Sequence, residues 1–282
     1  MKKTVVLAAL LLSSLLAWAS PVRSQFFKTS DGLRLHYLEA GSGPRTLVFV
    51  PGWLMPAEIF EQQILALAAD HRVIVLDPRG QGRSKEPPQR LQAAARARDI
   101  DELLQRAKVG DHVLIGWSLG VMEVLDHTVR HPSAQLRGMV LIDNSIGMGS
   151  APAATATKRQ RPLGRDEFRA YIQRFAAAIF KQPPPPGWLQ AIEASATQLP
   201  PKAAWSLLDK PYGREYYKNA VLALDVPLWY AITPRLAEQS LELMQTHPRA
   251  RATVFEEAGH ALFVDSAAQF NRGLKEFLEG MP

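Results

Sequence analysis

The sequence contains no cysteine. This absence excludes a disulfide framework, a thiol nucleophile and a lipid-modified cysteine near the N-terminus. The sequence also lacks metal-ligand spacings, a phosphate-binding loop and a dinucleotide-binding glycine pattern. We therefore expect no cofactor and no metal site, and we expect the hydrophobic core alone to stabilise the fold.

The chain has only a small excess of positive charge. Its formal net charge is +6 over 282 residues, and the basic stretch at residues 158–161 is short. Such a stretch is more typical of a solvated loop than of a nucleic-acid interface, so we expect no nucleic-acid partner. Hydrophobic residues make up 47% of the chain, which is enough for the core of one large domain.

The only long apolar run lies at the N-terminus. Lys2 and Lys3 precede it, and residues 17–19 (Ala-Trp-Ala) have the small-x-small form of a cleavage site. A membrane anchor is the alternative, but the run is short for a span and is interrupted at residues 13–14. We predict that residues 1–19 are a signal peptide. The mature protein would then be secreted across the inner membrane into the periplasm, with no stable membrane anchor.

Strand-like apolar runs alternate with helical patterns along most of the chain. This alternation predicts an α/β fold with a mostly parallel central sheet flanked by helices. The predicted strands are residues 25–29 and 33–39, which form a hairpin, and residues 46–50, 73–76, 113–115, 139–143, 228–232 and 252–255. The predicted helices of this domain are residues 57–69, 89–108, 119–130, 236–246 and 267–278.

The alternation stops after residue 145. Residues 183–186 are four consecutive prolines, which cannot lie inside a helix, and they separate shorter helical patterns. These predicted helices are residues 166–180, 188–197, 203–208 and 214–224. We expect a core domain of residues 20–145 and 226–282. A helical insertion of residues 146–225, here called the cap, would precede the last two strands.

A serine stands at the corner between a predicted strand and a predicted helix. Residues 116–120 read Gly-Trp-Ser-Leu-Gly. In a Gly-x-Ser-x-Gly turn the serine backbone is strained, and the glycines remove side chains that would collide there. The turn exposes the hydroxyl of Ser118 at the carboxyl edge of the sheet, beside a helix N-terminus that favours developing negative charge. Ser118 is therefore the predicted nucleophile.

A serine hydroxyl needs a base to become nucleophilic, and histidine is the usual one. His260 follows the last predicted strand, where a loop would return it to the same edge of the sheet as Ser118. We predict that His260 is the base. The other histidines lie within or beside predicted elements and are interpreted as surface or capping residues: His36, His71, His112, His127, His131 and His247.

Four motifs together resemble those of the α/β-hydrolase superfamily. Residues 50–53 resemble its oxyanion loop, residues 77–84 its glycine turn, residues 116–120 its nucleophile elbow and residues 258–260 its histidine loop. The resemblance covers essentially the whole mature chain and implies the α/β-hydrolase fold, with residues 146–224 as its cap. It also implies that the backbone amides of Trp53 and Leu119 form the oxyanion hole.

The acid that would orient the histidine is harder to locate. Most members of the superfamily have an aspartate after the strand that follows the cap, but residues 228–238 contain none. Asp143 ends the strand next to the nucleophile strand, where dehalogenase-like members have a relocated acid. Glu238 lies near the usual place, although just inside a predicted helix. We favour Asp143 over Glu238; the alternative for Asp143 is a cap of the following loop.

These residues predict a serine hydrolase that cleaves carboxylic esters through Ser118, His260 and Asp143. The cap is rich in aromatic and aliphatic residues, so we expect a small-molecule substrate with an apolar moiety, and a monomer or small homo-oligomer. Lactone, amide or carbon–carbon bond hydrolysis on the same elbow is an alternative. A non-catalytic ligand-binding protein with this fold is another, because the usual aspartate is missing.

Overall fold

The centre of the protein is an eight-stranded sheet. The computed structural model describes residues 21–85, 90–150, 161–209 and 212–281, so the predicted signal peptide, residues 1–19, lies outside the described residues. The strands are β1 (Arg23–Lys28), β2 (Arg34–Ala40), β3 (Thr46–Val50), β4 (Arg72–Leu76), β5 (His112–Trp117), β6 (Leu136–Ile142), β7 (Leu228–Ile232) and β8 (Ala250–Val254).

The order of the strands across the sheet is β1-β2-β4-β3-β5-β6-β7-β8. The first hairpin pairs antiparallel, and β2 is also antiparallel to β4. All pairings from β4 to β8 are parallel. The carboxyl ends of these six strands therefore meet at one edge, which is where ligands bind in parallel α/β sheets.

Helices cover both faces of the sheet, as the alternation of patterns predicts. They are α1 (Glu61–Leu67), α2 (Ala93–Arg106), α3 (Leu119–Arg130), α4 (Arg165–Ala178), α5 (Trp188–Ala196), α6 (Pro201–Ser206), α7 (Arg214–Leu222), α8 (Ala237–Thr246), α9 (Leu262–Asp265) and α10 (Ala267–Glu279). Short 3-10 turns precede α1 and α8. None of the described helices combines the length and the apolar character needed to cross a bilayer.

The central strands are apolar along their whole length because both of their faces are covered. In β3, for example, Leu47 and Phe49 pack into the hydrophobic cluster on one side of the sheet, whereas Val48 and Val50 pack into the cluster on the other. All four side chains are fully buried. This double coverage explains why β3 reads as a continuous apolar run rather than as an alternating one.

Four helices, α4 to α7, lie between β6 and β7, within the segment predicted as the cap. Whereas α7 packs into one of the two clusters that cover the sheet, a third hydrophobic cluster joins α4, α5 and α6 to the loops at the carboxyl edge of the sheet. In this cluster Trp53 stacks on Trp205 with 4.9 Å between ring centroids, and its indole N–H donates to the carbonyl of Ala204 at 2.7 Å. The cap helices are thus attached directly to the loop that follows β3.

Several boundaries differ from those that the sequence predicts. The predicted helix 57–69 is a 3-10 turn, Ala57–Phe60, followed by the shorter helix α1. The predicted strand 139–143 ends one residue earlier, so Asp143 lies just past β6. The short helix α9 is absent from the prediction because its four residues are too few to carry a helical period.

Candidate active site

Ser118 lies in the sharp turn between β5 and α3. Its backbone has φ 54° and ψ −118°, a conformation that is strained for a residue with a side chain. Both neighbouring glycines are required by packing. A Cβ atom on Gly116 would lie 2.5 Å from the carbonyl oxygen of Gly120, and one on Gly120 would lie 2.2 Å from that of Val50. The turn therefore forms only with glycine at both positions.

The structure brings three of the predicted residues together. His260 Nε2 lies 2.9 Å from Ser118 Oγ, and His260 Nδ1 lies 2.6 Å from Asp143 Oδ2. An ionised carboxylate can only accept a hydrogen bond, so Nδ1 carries the proton and Nε2 is free to accept from the serine hydroxyl. This tautomer is the one that a general base for Ser118 needs.

The environment of Asp143 keeps its carboxylate ionised. Burial alone would raise its pKa, but the hydrogen bond and charge of His260, the charge of Arg235 and the amide of Thr233 together lower it from 3.8 to about 2. Asp143 Oδ1 accepts hydrogen bonds from the backbone amide and the hydroxyl of Thr233, at 2.9 and 2.7 Å. Oδ2 accepts from Arg235 at 2.9 Å in addition to facing His260.

Glu238 is not brought to His260. It lies in the first turn of α8, where its carboxylate accepts hydrogen bonds from the amide and the hydroxyl of Ser150. These hydrogen bonds lower the pKa of Glu238. Of the two acids considered from the sequence, only Asp143 contacts the imidazole.

The amides of Trp53 and Leu119, which the resemblance implies as the oxyanion hole, belong to the two segments next to Ser118. Leu119 is the first residue of α3, so its N–H has no acceptor within the helix. The loop that carries Trp53 lies against the serine, because a Cβ atom on Gly52 would be 3.0 Å from Ser118 Cβ. In the part of the chain that the structure describes, no group accepts a hydrogen bond from either amide.

Three further residues hold these loops in position, and the sequence analysis did not single them out for it. The Gln81 side chain accepts from the amide of Leu54 at 2.6 Å, next to Trp53. Asn144 donates to the Ser118 carbonyl at 2.6 Å. Asp265 accepts from the amide of Gly259 at 2.7 Å, beside His260. The position of Gln81 in the glycine turn is the one sequence signal that could have indicated its role.

A second serine–histidine–aspartate chain lies elsewhere in the fold. Ser24 Oγ lies 2.8 Å from His36 Nε2, and His36 Nδ1 lies 2.7 Å from Asp77 Oδ2. Ser24, however, belongs to the extended strand β1, with no helix N-terminus behind it, and its hydroxyl also accepts from Arg83 at 3.1 Å. The distances alone therefore do not define a nucleophile; the strained turn and the unpaired amides distinguish Ser118.

A pocket of about 170 Å³ opens beside Ser118 and extends between α2, α3 and the cap. A larger cavity, of about 470 Å³, lies at the opposite edge of the sheet, lined by His112 at the start of β5 and Pro227 just before β7. Of these two pockets, the smaller one contains Ser118. Among the described residues, no group of three or more histidine, aspartate or glutamate side chains is arranged to hold a metal ion.

Comparison with known proteins shows the family to which this chain belongs. The sequence profile of the "Alpha/beta hydrolase family" matches residues 47–272. A pimeloyl-[acyl-carrier protein] methyl ester esterase of Edwardsiella ictaluri is 24% identical over 272 residues, which cover 87% of this chain and 98% of the esterase. The structure of an esterase from Exiguobacterium antarcticum has a TM-score of 0.73 at 21% identity, covering 92% of this chain and 100% of that one, which shows the shared fold.

Haloperoxidases are also similar to part of the chain. The non-heme chloroperoxidase CPO-A1 of Kitasatospora aureofaciens is 31% identical over 115 residues, 40% of this chain and 42% of the chloroperoxidase. The chain spans about half or less of the length of the haloperoxidases that it matches.

Proposed function

Because this chain belongs to the alpha/beta hydrolase family, we propose that it is a serine hydrolase that cleaves carboxylic esters. The observation that carries the proposal is the hydrogen-bonded chain from Ser118 through His260 to Asp143 at a strained strand-to-helix turn. Each of its parts has a function in acyl transfer. The buried carboxylate of Asp143 orients His260, and His260 in turn accepts the hydroxyl proton of Ser118.

In the first half of the proposed reaction, Ser118 Oγ attacks the ester carbonyl while His260 Nε2 takes the hydroxyl proton. The ionised Asp143 holds the imidazole in the correct tautomer and stabilises its positive charge. The negative charge that develops on the carbonyl oxygen is stabilised by the amides of Trp53 and Leu119 and by the N-terminus of α3.

The tetrahedral intermediate then collapses to an acyl-enzyme. His260 returns the proton to the departing alcohol, so the ester C–O bond breaks and Ser118 carries the acyl group. A water molecule, deprotonated by the same imidazole, attacks this acyl group in the second half of the reaction. Free acid leaves and Ser118 regains its proton.

Two considerations support an ester as the scissile group. A relative that is matched over nearly its whole length is named as a methyl ester esterase, and a structural neighbour from Exiguobacterium antarcticum is named as an esterase. The pocket beside Ser118 is also small, below the roughly 300–1,000 Å³ of sites for drug-sized ligands, which suits a short acyl group. We propose that the mature protein acts in the periplasm on such small molecules.

The test is labelling of the mature protein with a fluorophosphonate, a reagent that phosphonylates an activated serine, followed by peptide mass spectrometry. We expect an adduct on the peptide that contains Ser118, and hydrolysis of short-chain esters that is abolished in Ser118→Ala. Ser24→Ala is the matched control, because Ser24 also contacts a histidine that is paired with an aspartate. Unlabelled folded protein, or an adduct on Ser24, contradicts the proposal.

A further inference from the structure

The segment that follows β7 supplies the donors around the carboxylate of Asp143. Thr233 donates to Oδ1 through its amide and its hydroxyl. Arg235 Nη2 donates to the backbone carbonyl of Asp143 at 2.7 Å and to Oδ2 at 2.9 Å. In the part of the chain that the structure describes, both hydrogen bonds of the Arg235 side chain end on Asp143. A single guanidinium group therefore connects the backbone of this residue to its own carboxylate.

Asp143 is a residue whose side chain needs such a connection. Its φ of 45° lies in the left-handed region, which is unfavourable for a residue with a side chain, and it comes just after the last residue of β6. The side chain of Asp143 is fully buried, whereas that of Arg235 is 49% exposed. Arg235 thus lies between solvent and the buried acid and fixes the direction of the carboxylate relative to a strained backbone.

The chain contains the same contact a second time, at the surface. Arg249 Nη1 donates to the backbone carbonyl of Asp225 at 2.6 Å and to its Oδ1 at 3.2 Å. The Arg249 side chain is 48% exposed, like that of Arg235, but the Asp225 side chain is 99% exposed. The two contacts differ in what the carboxylate faces, which is water for Asp225 and His260 for Asp143. Arg249 is therefore a matched reference for Arg235.

Arg235 also brings a permanent positive charge close to the imidazole. Asp143 Oδ2 lies 2.9 Å from Arg235 Nη2 and 2.6 Å from His260 Nδ1, so the two nitrogen atoms are at most 5.5 Å apart. A positive charge at this distance disfavours a second one on the imidazole. His260 consequently keeps its neutral, base form to a lower pH than it would without Arg235.

Other titratable groups around Asp143 and His260 come from several elements: Tyr230 in β7, Asp265 in α9, and the exposed ion pair of Lys181 and Glu257. Burial and the charge of Asp143 raise the pKa of Tyr230, so this phenol stays neutral over the pH range of an assay. The carboxylate of Asp265 accepts from the amide of Gly259. Among the described residues, Arg235 is the only cation besides His260 itself that contacts the Asp143 carboxylate.

We propose that Arg235 is a positioning residue that holds the Asp143 carboxylate against His260 and extends activity towards acidic pH. The inference deepens the proposed esterase function and rests on it. Arg235 is not among the described residues that line the pocket beside Ser118. It therefore acts on the chemical step through Asp143 rather than on substrate binding.

The experiment measures kcat and KM on 4-nitrophenyl butanoate across pH for wild type and Arg235→Met, which keeps the length of the side chain without its donors. We expect kcat to fall about fivefold, less than the roughly tenfold of a buried charged hydrogen bond because Arg235 is half exposed. KM should stay within about twofold. The acid limb of kcat/KM, where activity falls with decreasing pH, should move up by about half a pH unit, the effect of a unit charge at this distance in water.

Two further variants separate charge from position. Arg235→Lys keeps the charge but not the planar guanidinium, so we expect the acid limb of wild type and a kcat between those of wild type and Arg235→Met. Arg249→Met is the control and should leave both kcat and the acid limb unchanged. Melting curves show whether each variant is folded. If Arg235→Met does not fold, Arg235→Gln, which is also neutral, should show the same shift of the acid limb.

The outcomes separate this inference from the proposed function. In a folded neutral variant of Arg235, an acid limb at the wild-type pH overturns the inference, as does a kcat of Arg235→Met within about twofold of wild type. An equal shift in Arg249→Met, or an acid limb of Arg235→Lys that moves as far as that of the neutral variant, also overturns it. These results leave an esterase in place. Wild-type protein that neither hydrolyses the ester nor reacts with fluorophosphonate at Ser118 overturns both.

Discussion

Replacing Asp143 by asparagine is the most informative single change in this site. Asparagine keeps the shape of the side chain, but one of its two oxygens becomes an N–H₂ group. If that group faces His260, it donates to Nδ1, and the proton of the imidazole moves to Nε2, where it blocks acceptance from Ser118. If it faces Thr233 instead, it opposes the amide that Asp143 now pairs with. In the first orientation the N–H₂ group also opposes the Arg235 guanidinium, and in the second it opposes the Thr233 amide, so either one leaves a contact between two donors.

The expected loss of kcat in Asp143→Asn is about ten thousandfold, the magnitude seen when a serine protease triad loses its carboxylate. Ser118 and the two amides remain, so some activity above background persists. The assay is kcat on a short-chain ester near neutral pH, together with the rate of fluorophosphonate labelling. Glu238→Gln is the matched control, because Glu238 contacts Ser150 rather than His260. Activity of Asp143→Asn within tenfold of wild type would refute the assignment.

The same variant also has a pH signature in stability. The pKa of Asp143 is about 2 in the folded chain against 3.8 as its ordinary value, a difference worth roughly 2 kcal/mol of unfolding free energy. Because the folded-state pKa is the lower one, this contribution is present above about pH 4 and is lost as the pH falls towards 2. Asp143→Asn should therefore be less stable than wild type at neutral pH, and the difference should shrink in acid. If the stability difference between wild type and Asp143→Asn did not change with pH, the ionised form of Asp143 would not be the source of that difference.

Three further changes are expected to have distinct effects. Gly120→Ala should lower the free energy of unfolding by more than about 3 kcal/mol, because the added Cβ would lie 2.2 Å from the Val50 carbonyl oxygen; a denaturation curve like that of wild type contradicts this. Trp53→Phe removes the hydrogen bond to Ala204 and should lower the free energy of unfolding by about 1 kcal/mol and also lower kcat. An unchanged kcat would show that the indole does not hold the Trp53 amide in position. Glu123→Gln should become more stable relative to wild type as the pH rises from about 5 to about 8, since the folded-state pKa of Glu123 is raised and stability is lost as this group ionises; a constant difference in melting temperature contradicts the raised pKa.

Much of the fold is encoded in local patterns. Helix α3 and strand β7 begin and end at the residues predicted from apolar periodicity, because a buried helix face and a doubly covered strand each impose a clear period. The ends of α1 and α2 were not predictable to the residue. Both helices are shorter than predicted, and contacts with residues distant in sequence, such as that of the Gln63 side chain in α1 with the Phe263 carbonyl, are invisible to a local pattern.

The candidate site also contains residues that the sequence marks and residues that only the folded structure shows. In the sequence, a turn motif marks Ser118 as a candidate, and a position after the last strand marks His260. Asp143 required knowledge of which strands are neighbours, and its positive φ of 45° has no sequence signature. Of the supporting residues, Gln81 has only its place in the glycine turn as a sequence signal and Asp265 has none, since each holds a loop through hydrogen bonds that form only after folding.

The attachment of Trp53 to the cap links access to reactivity. The residue that contributes one amide to the proposed anion-binding site also stacks on Trp205 and bonds to the carbonyl of Ala204. Moving the cap outward would therefore pull on that amide, so the enzyme would admit a substrate in one arrangement and activate it in another. Grafting a different cap onto this core would alter turnover as well as selectivity, because the catalytic machinery does not end at the border of the core.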